Sequence, residues 1–241
     1  VTISVLQETP AESHGSLHST QAVTQAGNTA GSSFHLGLTF DTSNGTTTAT
    51  ITSVPSMTWT RKGTQTDAAD TERTTHYVAD GAASGSITVT ATFDVQTGHS
   101  AILLKEIGGT SGYDATADAN ASNQQATPGT GADGVTTTNT AALSAQPALI
   151  SAFCMDSAGG GTPAAGTGFT SDGTGWSGFT GTALMRSESK RVASTAALAA
   201  TFTAAANDTN QSFAAVFTET GGGAGPAQRA PLGRRYIGWT S

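Results

Sequence analysis

The chain has 241 residues, with 30 Gly, 7 Pro, 36% apolar and 11% charged side chains, and a formal charge of −7. That length suits one elaborate β domain or two small ones; a single cysteine, Cys154, excludes an internal disulfide and a cysteine metal cluster, and no apolar run approaches the ~20 residues that span a bilayer. The charge is uneven: residues 1–220 hold all 17 acids and seven bases, net −10, while 221–241 hold Arg229, Arg234 and Arg235 and no acid, net +3. An acidic body lacks the clustered Lys and Arg that phosphate contacts need, so neither nucleic acid nor membrane is an expected partner. No signal peptide is visible, and Val1 reads as a processed or trimmed start.

In chain order, Val1–Leu6 reads as a short strand, Gln7–Gly15 as a polar loop and Ser16–Val23 as a weak strand. Ser33–Phe40 alternates strictly: Phe34, Leu36, Leu38 and Phe40 share one face, His35, Gly37 and Thr39 the other. Thr46–Val54 and Met57–Arg61 are strand pieces broken by Pro55, which cannot donate to a ladder. Lys62–Asp70 is a polar loop, and Glu72–Ala79 a strand ended by the Asp80-Gly81 turn. In Gly85–Ile107, Ile87, Val89, Ala91 and Phe93 alternate with threonines, Asp94–Ser100 is polar, and Ala101–Ile107 is apolar on both faces except at Lys105 and Glu106. This predicts two strands joined by a turn into an antiparallel pair.

Gly108–Gly134 reads as a long loop, Val135–Ala142 and Pro147–Met155 as strands, and Asp156–Gly178 as Gly-rich with Phe169 and Trp176 as isolated anchors. Thr180–Glu188, Arg191–Ala204 and Ser212–Thr220 complete the set. Eleven or twelve short strands without a sustained helical period predict an all-β fold. The expectation is an antiparallel two-sheet β-sandwich, jelly-roll-like, over 1–220, followed by an extended tail at 221–241. Phe34, Leu36, Leu38, Trp59, Ile87, Val89, Phe93, Leu103, Ile150, Phe213 and Phe217 are its expected core. Cys154, within the apolar run Ala148–Met155, reads as a small buried hydrophobe.

Three segments, ITSVPSMTWTRKGTQTD (51–67), THYVADGAASGSITVTATF (75–93) and AILLKEIGG (101–109), together resemble a β-sandwich domain that recurs in tailed-phage structural proteins and bacterial surface proteins. The resemblance covers about residues 20–220. Its motifs are structural, so it implies a non-enzymatic virion or surface role and carries no site residues with it.

No residue pattern demands catalysis, a metal or a cofactor. The five histidines, His14, His18, His35, His76 and His99, form no metal-binding spacing and read as solvent-facing or hydrogen-bonded. Glu106 lies among Leu103, Leu104 and Ile107. It is expected to be hydrogen-bonded, or paired with Arg61 or Arg73; a glycosidase would need a second carboxylate, from Glu188 or Asp156, across a cleft. Asp67, Asp70 and Glu72, like Asp114 and Asp118, read as Asx turns rather than calcium loops. Trp176 and Tyr113 are candidate glycan contacts, because exposed aromatic rings stack on sugars.

The tail pairs a Gly-rich hinge with QRAPLGRRYIGWTS. Arg229, Leu232, Arg234, Arg235, Tyr236, Ile237 and Trp239 are the candidate partner-binding residues, since Arg, Tyr and Trp dominate interface hot spots. The expected function is therefore a non-enzymatic phage virion protein (capsid decoration, head fibre or minor tail protein), contacting other virion proteins or copies of itself. The alternative is a carbohydrate-binding or adhesin module, extracellular or on a cell surface; a glycosidase or lyase comes last.

Overall fold

The computed structural model describes residues 1–66, 72–117, 122–125, 134–136, 142–156, 164–173, 176–178, 183–203 and 210–221. Among these residues there is no helix, and sixteen strands are formed. They are β1 (Ser4–Asn28), β2 (Ser33–Asp41), β3 (Ala49–Val54), β4 (Thr60–Thr66), β5 (Glu72–Ala79) and β6 (Gly85–Gly108). Next come β7 (Thr110–Tyr113), β8 (Ser122–Gln125), β9 (Gly134–Thr136), β10 (Ala148–Asp156) and β11 (Ala164–Ala165). The last are β12 (Thr170–Ser171), β13 (Trp176–Gly178), β14 (Ala183–Val192), β15 (Thr201–Thr203) and β16 (Asn210–Glu219). The surplus over eleven or twelve consists of ladder fragments two to four residues long, too short to show a period.

Three expectations about the first half are corrected. The loop expected at Lys62–Asp70 is strand as far as Thr66, because β4 pairs with β5 there. The loop expected at Gln7–Gly15 is strand, because β1 runs unbroken for 25 residues. The turn expected at Asp94–Ser100 is also strand: β6 runs for 24 residues, and its halves pair with β1 rather than with each other. The ribbon bends instead of turning. Between His14 and Thr20 the register slips, with Gly15 in the left-handed region at φ 87°. Glycine enters that region at little cost, and an extra residue on one strand curves the ladder. On β6 the Thr97 hydroxyl is buried and donates to the carbonyls of Asp41 (2.9 Å) and His99 (2.8 Å), which holds the bend.

The bend folds the first sheet over on itself. Its order is β1-β6-β2-β5-β4, with β3 also on β6 beside the first half. Ile87, Val89, Ala91 and Phe93 from the first half of β6 join Ile102 and Leu104 from the second, together with Phe34, Leu36, Leu38 and Phe40. Trp59, expected in the core, is partly buried at the edge of this cluster.

The other face of β2, β5 and the second half of β6 is not solvated; it packs on a second sheet of order β12-β14-β10-β16-β7. Ala101 and Leu103 meet Phe153 and Met185 there, and Val78 and Ile107 meet Leu149 and Phe217. Beyond it, Ile150, Ala152, Cys154 and Val216 pack under Phe202, which belongs to a third, small sheet β11-β15-β9. All ladders are antiparallel, and the architecture is an all-β sandwich of stacked sheets.

Candidate functional site

The interface between the first two sheets carries the densest ionisable chemistry of the described residues. Lys105 on β6 pairs in register with Glu8 on β1 and with His35 on β2. Cross-strand partners point to the same face, so all three face the second sheet. Lys105 is fully buried. Its Nζ donates to Ala152 O (3.0 Å), Asp172 Oδ2 (3.1 Å) and Glu188 O (3.3 Å), and sits 4.4 Å above the Phe153 ring. The Lys105 and Asp172 side chains are 0% and 4% exposed.

Asp172 is held from two more directions. Its Oδ1 accepts from the Ser189 hydroxyl, and its backbone N–H donates to Ser187 O (3.4 Å). The Ser187 hydroxyl donates to Glu8 Oε2. A Cβ at Gly173 would meet the Glu8 carboxyl, so any larger residue there would push that side chain aside. The Glu8 carboxyl therefore lies against the residue that follows Asp172. Burial pushes its pKa up, and the nearby Lys105 ammonium offsets only part of that shift.

A histidine pair extends the polar layer. His35 Nε2 is 3.0 Å from His76 Nδ1, and His35 Nδ1 is 2.9 Å from Ser151 Oγ. Both rings are fully buried. Burial first, then Lys62, lowers His76 to about 3; burial, then His76, holds His35 well below the ordinary range. Both rings are neutral at physiological pH. His76 Nε2 has no hydrogen-bond partner among the described residues.

Glu188 points away from this layer, toward the third sheet. Its Oε2 accepts from Gly166 N (2.7 Å), and its Oε1 has no partner among the described residues. Burial pushes its pKa up to about 7, against the pull of that hydrogen bond.

Among the described residues, hollows open at two places on the surface. One, of ≈ 540 Å³, lies outside the Lys105–Asp172 pair and is lined by Ile3, Val5, Leu149, Asp172, Ser189 and Arg191. The second is a groove between β3 and β4, made of adjoining hollows of ≈ 190 and ≈ 280 Å³ that share Ala49, Arg61 and Tyr77. Arg61 is exposed, while Arg73 is half-buried and donates through Nε to Thr66 Oγ1 (3.1 Å). Trp59 is fixed by its indole N–H on Ser53 Oγ (3.1 Å).

Glu106 is buried and hydrogen-bonded: Oε2 accepts from Gln7 Nε2 and Oε1 from Thr29 N, both at 2.6 Å. Among the described residues it is paired with neither Glu188 nor an arginine, because it faces the folded interior of the first sheet. His18 meets Ser100 Oγ (2.8 Å), and His99 meets Glu72 Oε1 (2.9 Å). Asp114 caps a turn, accepting from the backbone of Thr116 and Ala117 and from Ser144. Tyr113 is half-buried, with its ring under Lys62 Nζ at 4.4 Å and edge-on to Phe217. The backbone of Trp176 pairs with Met185 in β13; its side chain, with Asp67, Asp70, Asp118 and the tail candidates Arg229, Leu232, Arg234, Arg235, Tyr236, Ile237 and Trp239, lies outside the described residues.

Sequence reading passed over Lys105, Glu8 and Asp172. Lys105 carried a usable signal: with its neighbour Glu106 it interrupts the otherwise apolar stretch Ala101–Ile107. Comparison with family profiles, with characterised proteins and with solved structures finds no match to this chain.

Proposed function

We propose that the chain is a non-catalytic structural and interaction module of a tailed-phage particle: a capsid decoration, head fibre or minor tail protein. The observation that carries this reading is the inward direction of the buried charge. Lys105, Asp172, Glu8, His35 and His76 lie between the first two sheets and tie them together. Such a layout suits a module that holds its shape while neighbours pull on it. The phage setting rests on the sequence resemblance of 51–67, 75–93 and 101–109. Docking through 221–241 rests on the composition of that tail. Purified particles should contain the chain at fixed stoichiometry, and deletion of 224–241 should release it while its melting temperature is kept. Particles lacking the chain, or a truncated chain that still assembles, would count against the reading.

Glycan binding is the second reading, and the β3–β4 groove favours it. The exposed Arg61 guanidinium, with the half-buried Trp59 indole and the exposed Thr50 beside it, offers carboxylate pairing, stacking and a hydroxyl contact. The expected ligand is an acidic saccharide. On a glycan array Arg61→Ala should abolish its signal; an array on which the native chain binds nothing removes this reading.

A further inference from the structure

We propose that Lys105 and Asp172 are joined by an intramolecular isopeptide bond that the protein forms on itself, with Glu8 shuttling the protons. The inference is independent of what the module binds.

Three conditions for a condensation that the protein carries out on itself meet at this point. The nucleophile and the electrophile are in contact, with Nζ 3.1 Å from Asp172 Oδ2. Held in such geometry, two groups react as though at very high concentration. The reacting side chains are shielded from water, being 0% and 4% exposed with the Phe153 ring over Nζ, while the hollow that Asp172 lines leaves a way out for the water released. A second carboxyl, Glu8, lies beside the pair: it is the ladder neighbour of Lys105 and sits against Gly173. Its burial favours the protonated form, which a general acid requires.

The chemistry balances without an outside reactant. The reacting form of the pair is the neutral one, reached when a proton moves along the 3.1 Å hydrogen bond from Nζ to Oδ2 and leaves an amine beside a carboxylic acid. The Nζ lone pair attacks Cγ and a C–N bond forms. Glu8 donates its proton to Oδ2, the Cγ–O bond breaks and water departs. Glu8 recovers a proton from the nitrogen and ends as it began. Oδ1 remains as the amide oxygen, already held by the Ser189 hydroxyl. The nitrogen keeps one hydrogen, and the carbonyls of Ala152 at 3.0 Å and Glu188 at 3.3 Å are placed to accept it.

The geometry also explains why the bond would be worth forming. It joins β6 of the first sheet to the segment after β12 of the second, across the layer that the polar ties already occupy.

The test is the intact mass of the full-length protein under denaturing conditions. The expected mass is lower than that of the linear sequence by one water. Digestion after glutamate should then release 73–106 joined to 107–188 as one species. The neighbouring Asp172-Gly173 step can also lose water, by closing to a succinimide on its own chain. Lys105→Arg separates the two sources, since it abolishes the isopeptide and leaves a succinimide. Glu8→Gln should give the unreduced mass in a protein that still melts cooperatively. A native chain of unreduced mass overturns the bond, as does a water loss that survives Lys105→Arg. Complete condensation in Glu8→Gln overturns the role of Glu8.

Discussion

Lys105 illustrates how a buried charge is tolerated: each of its three N–H donors has an acceptor. Removing one partner of such a pair leaves the other stranded, so Asp172→Ala should cost about 3–5 kcal/mol in chemical denaturation. The histidines set a pH dependence. Their folded pKa values lie below the unfolded 6.5, so the unfolded chain binds more protons as pH drops. Their stabilising contribution is complete above 6.5 and declines as pH falls below it; for His76 the decline runs down to about 3, at about 1.4 kcal/mol per pH unit. Glu188 acts oppositely: with a folded pKa of about 7 against 4.5 unfolded, its contribution is complete below 4.5 and lost as pH rises through 7. Glu188→Gln should therefore gain stability relative to the native chain between pH 5 and pH 8, on the order of 2 kcal/mol, read as melting temperature across that range. Neither effect was legible in the sequence. His35 and His76 are 41 residues apart, and only the β2–β5 register brings them together.

At the scale of elements, strict alternation identified β2, the first half of β6 and β16 and assigned their apolar faces. On β6, Phe93→Ala should cost about 3–5 kcal/mol and Thr90→Ala about 1 kcal/mol or less in denaturant titrations. Alternation did not reveal that the second face of β2 is covered too. His35, Gly37 and Thr39 look like a solvated face because a polar layer and a wet one use the same residue types. Gly37 marks the difference: a Cβ there would lie 3.1 Å from Met185 Sδ and 3.2 Å from the Phe153 ring. Gly37→Ala should cost about 1–3 kcal/mol, as overpacking does; a change within about 0.5 kcal/mol, as at an exposed site, would contradict the close packing. The single-strand nature of β1 and β6 was hidden for another reason. Gly15 and the polar 94–100 stretch carry the residue types of a turn, and a bend in a continuous ribbon uses the same ones.

For the whole molecule, composition and the lack of a helical period were enough for an all-β sandwich. The stacking of further sheets came only from long-range pairing. A Lys105–Asp172 bond would close a long loop in the unfolded chain, worth about 4 kcal/mol if it acts as a cross-link of that span does in the chain-entropy model. The continuous ribbon has its own bearing on biogenesis. Among the described residues, β1 pairs with β6 alone, and β6 ends at Gly108. At translation rates of ~5–20 residues per second, β1 waits on the order of ten seconds for its partner to be made. An unpaired strand invites aggregation, yet within β1 only Val5, Leu6, Leu17 and Val23 are large and aliphatic. A nascent chain stalled at residue 84 should leave β1 open to protease. One stalled far enough past Gly108 for β6 to clear the ribosome should protect it.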